Sequence, residues 1–172
     1  MILFTALLCI IAALASGLVL SPHQSAKPAS GYEGVIALPG LSENVTVHLD
    51  ERGMPHIYAI DEHDLYLAVG YISARERLWQ MDLIRRSAAG RLSEIFGKSF
   101  LQADVFTRCL RINEKSKRIL KNEDREIVAC LQAYTDGVNA FINSPGKKLP
   151  LEFRLLHYTP EQWSMEDILS II

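Results

Sequence analysis

The spacing of apolar residues changes from a period of two to a helical period at Asp61, and this change constrains the fold most strongly. Residues 45–49 alternate apolar and polar side chains, and residues 56–60 follow as the returning strand. Such alternation is typical of half-buried strands. The segment 50–53 between them ends in glycine and supplies a turn. The sequence therefore predicts a β-hairpin over residues 45–60.

A long amphipathic helix is predicted immediately after the hairpin. Asp61 and Asp64 have the spacing of a capping box, and acidic residues in a first turn suit the helix dipole. Gly90 is a natural residue to follow the last turn, so the helix would run for about 27 residues. The apolar residues at helical spacing, which we expect to face the core, are Leu65, Ala68, Val69, Ile72, Trp79 and Leu83.

A second amphipathic helix is predicted from Asn122 to the segment 143–146, which contains proline and glycine. Glu123 and Asp124 fall in its first turn. Its apolar residues recur at steps of seven, four, three, four and three, which favours a continuous core-facing stripe. The stripe consists of Leu120, Ile127, Leu131, Tyr134, Val138 and Phe141.

Shorter elements are also predicted. Residues 35–38 have strand-like composition, and residues 92–96 favour a short helix that ends at Gly97. Near the C-terminus, Thr159 before a proline indicates one helix start. Ser164 and Asp167 indicate another, whose apolar first turns are expected to be incomplete as the sequence stands.

Residues 1–20 carry no charged side chain and are almost wholly apolar. This length fits either a cleaved secretory signal or a membrane anchor, and both alternatives remain open. Residues 21–33 contain proline and serine and are expected to form a linker. A domain over residues 34–172 follows, and we expect the protein to be periplasmic or secreted.

The two cysteines after residue 20 are Cys109 and Cys130. An oxidising compartment would permit a disulfide between them. However, Cys130 lies beside apolar residues on a predicted helix, which favours a buried free thiol. Neither cysteine has a histidine or acidic partner at ligand spacing, so zinc is not indicated.

The composition and the charged residues give little sign of a catalytic or binding site. The formal net charge is −2, which does not indicate a nucleic-acid partner. The basic run 115–121 is followed by acidic residues and indicates a solvated helix face. Glu76 and Asp82 are too far apart to share a helix face as an acid/base pair, whereas Asp82 and Arg86 have ion-pair spacing.

Three nearby histidines, His48, His56 and His63, raise the question of a metal site, but their spacing matches no compact ligand motif. No glycine-rich phosphate loop or nucleophile elbow is present in the sequence. We therefore assign no catalytic residue, no cofactor-binding residue and no metal ligand in this chain. The residues alone indicate an exported α+β segment without a recognisable active site.

The block from Asp50 to Gly97 carries a series of motifs, and two further motifs occur later in the chain. In sequence order the motifs are Gly53-x-Pro55-His56-Ile57-Tyr58, Gly70 with Ala74-x-x-Arg77-Leu78-x-Gln80-Met81, Arg86-x3-Gly90, Glu94-Ile-x-Gly97, Tyr134-x-Asp136-Gly137-Val-Asn139-Ala140 and Thr159-Pro160-x-x-Trp163. The block closely resembles the opening of the α-chain in the penicillin acylase family, and the two later motifs resemble signatures of the same family.

The resemblance implies an N-terminal-nucleophile hydrolase with an αββα-type fold, of which this chain would hold a β-hairpin and long helices. An absent β-chain would complete the sheet and provide the N-terminal serine nucleophile. Substrates would be linear amides such as β-lactam antibiotics or acyl-homoserine lactones. Family members often bind Ca²⁺ mainly through the β-chain, and their acyl-pocket residues in the α-chain would lie beyond residue 172.

Two hypotheses of different classes follow. The first is that the chain is the N-terminal, α-chain portion of such an amidohydrolase and needs a β-chain partner from the same precursor or a neighbouring gene. The alternative is a non-enzymatic, membrane-tethered interaction module, or an inactive fragment, that reuses the scaffold. In both cases, contact with a membrane would be made through residues 1–20.

Overall fold

The computed structural model describes residues 34–144 and 146–172. All the helices and strands given below lie within one compact unit, Ala37–Ile172. The interpretations of residues 1–20 and 21–33 fall outside the described residues. Within the described ranges, no helix combines the length and apolar character that crossing a bilayer requires.

The predicted hairpin is confirmed. Strands β1 (Thr46–Leu49) and β2 (Pro55–Tyr58) pair antiparallel, with Thr46 opposite Tyr58 and Leu49 opposite Pro55. The side chain of Asp50 closes the turn, because its Oδ1 accepts hydrogen bonds from the backbone N–H groups of residues 52 and 54 at 2.9 and 2.8 Å. Gly53 has a φ of 78°, which a residue with a side chain rarely adopts.

The strand predicted over residues 35–38 is wrong, because these residues are irregular. Among the described residues, the only sheet is the two-stranded pair of β1 and β2, and residues 35–38 pair with neither strand. Strand-like composition alone does not form a strand without such pairing.

The long helix is confirmed as α1 (Glu62–Ala89). Asp61 caps its start, since its side chain accepts a hydrogen bond from the Asp64 N–H at 2.8 Å. Gly90 ends it in the left-handed conformation, with φ 63°, and its N–H bonds back to the last turn. Non-helical dihedral angles at Arg77 mark a kink within α1.

Four short helical segments follow α1. They are α2 (Ser93–Phe96), a 3₁₀ turn (Lys98–Phe100), α3 (Leu101–Cys109) and α4 (Ile112–Asn122). The short helix predicted over residues 92–96 is confirmed by α2, and α4 contains the basic run as a largely exposed face. No pattern in the sequence predicted α3.

The second long helix is α5 (Arg125–Asn143), which begins three residues later than predicted. It packs along α1, and the two helices meet at glycines. A Cβ atom placed on Gly70 would lie 2.1 Å from the Tyr134 carbonyl oxygen. A Cβ atom placed on Gly137 would lie 2.0 Å from the Leu67 carbonyl oxygen. The backbones of α1 and α5 are therefore close enough to require glycine at both positions.

The C-terminal part contains α6 (Leu151–Leu155) and α7 (Met165–Ile171). The capping box of Ser164 and Asp167 is confirmed, with both reciprocal hydrogen bonds present. The helix predicted from Thr159 is wrong, because residues 158–164 are irregular. The Asn139 side chain holds that segment, since it accepts from the Trp163 N–H at 2.8 Å and donates to the Trp163 carbonyl at 2.9 Å.

One hydrophobic core lies between α1, α5, α6 and α7. Its buried side chains are Ala74, Leu78, Val138, Phe141, Ile142, Phe153, Trp163 and Ile168. The fold is α+β, as predicted: mostly helical, with a two-stranded antiparallel hairpin at the N-terminal side.

Candidate functional site

Buried charges occupy the second half of α1. Asp82 has no exposed surface, and Arg85 and Arg86 are each 4% exposed. The Asp82 carboxylate accepts three hydrogen bonds: one from Arg85 Nη2, one from Arg86 Nε at 2.9 Å and one from the Tyr158 hydroxyl at 2.9 Å. A buried carboxylate with this many donors is well compensated for its lost hydration.

A second set of ion pairs extends this cluster towards the surface. Glu94 accepts from Arg86 Nη1 at 2.7 Å and from Arg91 Nε at 2.8 Å. Glu161 accepts two hydrogen bonds from Arg91, at 2.9 and 2.8 Å. The hydrogen bond from Arg91 lowers the pKa of Glu161 to about 2. These pairs join the end of α1 to the irregular segment before α7.

Aromatic rings complete the cluster. The Arg85 guanidinium lies 4.9 Å from the centre of the Trp163 ring, and Arg86 lies 4.8 Å from the centre of the Tyr158 ring. Burial raises the pKa of Tyr158, and its hydrogen bond to Asp82 raises it further. A neutral phenol therefore donates to Asp82 at all ordinary pH values, and the cluster is a fixed structural unit.

The predicted ion pair of Asp82 and Arg86 is present, but the pair is buried rather than on the helix surface. This difference changes its energetic role. An exposed pair contributes a few tenths of a kcal/mol, whereas removing one partner of a buried pair costs about 3–5 kcal/mol. Its surroundings are filled by side chains, and this packing indicates a scaffold role.

Asp64 forms a second buried polar centre at the start of α1. It has no exposed surface, and its carboxylate accepts hydrogen bonds from the Ser42 N–H at 3.0 Å and the Glu43 N–H at 2.8 Å. The hydrogen bond from Ser42 lowers the pKa of Asp64. Only half of the predicted capping box therefore forms, because Asp64 bonds to the preceding loop instead of reaching back to Asp61.

The three histidines take separate roles. His48 and His56 lie opposite each other on exposed positions of the hairpin, and His56 Nε2 lies 3.7 Å from Asp50. His63 Nδ1 lies 3.1 Å from Asp64. Potential ligand atoms of Asp61, His63 and Asp64 lie within 4.8 Å of one another. Both oxygens of the Asp64 carboxylate already accept backbone N–H hydrogen bonds.

An apolar groove opens between α1, α5 and α7, with a volume of about 590 Å³. Its apolar walls come from α1, from α5 and from the C-terminal end of the sequence. They are formed by Tyr66, Ile127, Leu131, Tyr134, Ile168, Ile171 and Ile172. Glu62 and Glu126 also line it. The groove was not predicted, because its floor belongs to a stripe that the sequence indicates as core.

Both described cysteines are free, as expected, but neither is fully buried. Cys109 is exposed at the end of α3, and Cys130 is half-buried in the groove. The Cys130 sulfur lies 4.0 Å from Glu62 Oε2.

Comparison with known proteins gives a consistent result. The family model for penicillin amidase matches residues 44–172. A penicillin acylase 2 proenzyme from Pseudomonas sp. (strain SE83) is 42% identical over 130 residues, which are 76% of this chain and 17% of that protein. An acyl-homoserine lactone acylase QuiP from Pseudomonas fluorescens (strain Pf0-1) is 36% identical over 134 residues, 78% of this chain and 16% of that protein.

A solved structure, a thermostable penicillin G acylase from Alcaligenes faecalis, matches with a TM-score of 0.68 and 27% sequence identity. That match covers 74% of this chain and 69% of the solved chain. The chain therefore spans about a sixth of the length of the curated relatives that it matches, but is similar in length to the solved chain.

Proposed function

Because the chain belongs to the penicillin amidase family, we propose that it supplies the N-terminal, α-chain portion of an amidohydrolase. In this proposal the enzyme hydrolyses the linear C–N bond of an acylated substrate. The substrate class is β-lactam antibiotics or acyl-homoserine lactones, which are the types of compound named in the relatives' descriptions.

The proposal rests on the different shares of the matched proteins that this chain covers. The same region is 17% of a relative described as a proenzyme but 69% of a solved acylase chain. This difference supports a long precursor that is divided into a short and a long chain. A polypeptide of this length would then act with a second chain, from the same precursor or from a neighbouring gene.

The second chain would provide the chemistry. Its N-terminal serine hydroxyl would add to the substrate carbonyl while its own α-amine accepts the proton. The C–N bond then breaks, the amine leaves with that proton, and water hydrolyses the acyl-serine ester. Backbone donors of that chain would stabilise the oxyanion.

The described residues of this chain have structural roles that agree with such a division. The hydroxyls of Ser116, Ser144 and Ser170 donate to backbone carbonyls of their own helices. Ser164 is committed to the cap of α7. The buried Asp82 is surrounded by its three donors. We therefore propose no nucleophile and no Ca²⁺ ligand in this chain, and a periplasmic or secreted location for the assembled enzyme.

Co-expression tests the proposal. The chain is expressed with the coding sequence that follows the Ile172 codon in its genome, beginning at a serine, and hydrolysis of a phenylacetyl aryl amide and of an acyl-homoserine lactone is measured. We expect hydrolysis by the two-chain complex and none by the 172-residue chain alone. Replacing the partner's N-terminal serine by alanine is the control and should abolish turnover.

Hydrolysis by the isolated chain would contradict the proposal, and so would a complex that forms without activity towards either substrate class. The second result would favour the non-enzymatic interaction module.

A further inference from the structure

The apolar groove exposes a helix face that has the pattern of a core. Ile127, Leu131 and Tyr134 continue the stripe that includes the buried Val138 and Phe141. The buried end of the stripe contacts α1, whereas Ile127 is 47% exposed. Tyr66 on the opposite wall is 40% exposed. Within the described residues, this continuous stripe is therefore covered at one end only.

The charge at the groove has a single sign. Its lining includes two carboxylates, Glu62 and Glu126, and contains no lysine or arginine. Each carboxylate also lies in the first turn of its helix, where it interacts favourably with the helix dipole. The groove is thus apolar with acidic side chains, and it complements an apolar surface flanked by basic residues.

We propose that this groove is the docking site for an amphipathic helix with a basic rim, supplied by the partner chain. The proposal rests on the proposed function for the existence of that chain, and adds where it binds and with what chemistry. The matched region covers only 16–17% of the curated relatives, so most of such a polypeptide lies outside this chain and is large enough to supply the helix.

A helix suits the walls of the groove, which are themselves helices. Helices pack at interaxial distances of about 8–10 Å, with the side chains of one lying between those of the other. A volume of about 590 Å³ holds several side chains but no complete helix, so one face would enter. Leucine-like residues at i, i+3, i+4 and i+7 would contact the apolar floor, while lysine or arginine beside them would pair with Glu62 and Glu126.

Two isoleucines with the same exposure provide a matched pair of variants. Ile127 lines the groove, whereas Ile119 lies on α4 outside it, and each is 47% exposed. Both Ile127→Glu and Ile119→Glu add one carboxylate to an exposed helix position, so a generic charge effect is equal in the two. Only Ile127→Glu places that charge on the apolar floor.

The first experiment measures binding of a designed helical peptide of about 18 residues, with leucine at i, i+3, i+4 and i+7 and lysine elsewhere. Binding to the full chain is followed by fluorescence anisotropy. We expect at least tenfold weaker binding to Ile127→Glu and unchanged binding to Ile119→Glu. A peptide with glutamate in place of every lysine should bind at least tenfold more weakly to the wild-type chain.

The reaction rate of the Cys130 thiol shows directly whether a peptide occupies the groove. In a Cys9→Ser, Cys109→Ser background, Cys130 is the remaining cysteine and lies in the groove. Saturating lysine peptide should slow its reaction with a disulfide reagent at least fivefold. An unchanged reaction rate with bound peptide would place the peptide elsewhere and overturn the proposal.

Other outcomes also decide the question. Equal weakening by Ile127→Glu and Ile119→Glu would overturn the groove as the site. Self-association of the wild-type chain that Ile127→Glu abolishes would make a second copy the occupant, and would likewise overturn the proposal.

The two-chain complex separates this proposal from the proposed function. If Ile127→Glu assembles an active complex as readily as Ile119→Glu, the docking site is wrong and the function stands. A different result would be a partner chain that assembles with the wild type and with Ile119→Glu but not with Ile127→Glu, in a complex that hydrolyses neither substrate. The docking site would then be correct and the proposed function wrong.

Discussion

The close contact between α1 and α5 gives the sharpest test of the structure, through Gly70→Ala. Replacing glycine by alanine in an open helix position stabilises a protein by about 1 kcal/mol, because alanine has the higher helix propensity. Here the added methyl group would lie 2.1 Å from the Tyr134 carbonyl oxygen and 2.9 Å from its carbonyl carbon. Both are backbone atoms, so no side-chain rotation can relieve the collision.

The size of the effect follows from this geometry. An ordinary contact begins near 3.4 Å, so the two helices must separate by roughly 1.3 Å where they cross. A gap of about 0.5–1 Å already loses a quarter to a half of each local dispersion contact, and overpacking typically costs about 1–3 kcal/mol. Because the added methyl group meets backbone atoms, we take the overpacking cost of Gly70→Ala as ~3–4 kcal/mol. Subtracting the gain in helix propensity leaves a net decrease of ~2–3 kcal/mol in the free energy of unfolding.

Urea titration of the purified chain, followed by circular dichroism and tryptophan fluorescence, measures this loss. In a chain of this size it corresponds to a decrease in melting temperature of about 5–10 °C. Gly137→Ala collides at the same crossing, 2.0 Å from the Leu67 carbonyl oxygen, so the double variant should lose less than the sum of the two. Unchanged or increased stability in Gly70→Ala would refute the reasoning, since the helices would then have room for a methyl group.

Three further predictions concern the polar groups. Asp82→Ala removes the buried carboxylate that Arg85 and Arg86 share and should lower the free energy of unfolding by about 3–5 kcal/mol, against less than about 0.5 kcal/mol for the exposed Asp136→Ala, both measured by urea titration. The pKa of Glu161 is lowered from 4.5 to about 2, so its stabilisation is complete above about pH 4.5 and is lost as the pH falls towards 2. Because that side chain is 51% exposed, screening leaves ~1 kcal/mol, and Glu161→Gln should flatten the stability profile between about pH 5 and 2. Ser164→Ala removes the cap of α7 and should cost about 1 kcal/mol in thermal unfolding.

Local signals in the sequence predicted the elements whose causes are local. The hairpin, both ends of α1 and the cap of α7 each depend on residues within one turn: Asp61 and Gly90 bond to their own helix, and Ser164 bonds to Asp167. The failures at residues 35–38 and at Thr159 have distant causes. A strand forms only by pairing with another strand, and residues 35–38 pair with neither β1 nor β2. The segment at Thr159 is held by Asn139 from another helix.

Periodicity was less successful at identifying the buried face of α1. The predicted stripe includes Ile72 and Leu83, which are only half-buried, whereas Asp82, Arg85 and Arg86 are buried. An apolar pattern cannot identify a face that is buried by ion pairing, because charged residues do not contribute to an apolar stripe and some of the partners that compensate their charge lie far away in the sequence. Tyr158, which donates to Asp82, is 76 residues distant. No spacing pattern in the sequence links Tyr158 to Asp82.

The structural roles of these residues also determine how a substitution would affect catalysis. Within the block from Asp50 to Gly97, Gly70 serves the helix crossing, Asp82 the buried ion pairs and Gly90 the helix end. All three therefore have structural roles inside the fold. A variant at Asp82 in an assembled enzyme should then lose activity only in proportion to the fraction of folded complex. Its KM and the pH dependence of kcat should remain those of the wild type, since no group that contacts substrate has changed. A shifted pH profile in the folded fraction would instead show that the buried cluster reaches the reacting groups, and the scaffold interpretation would be wrong.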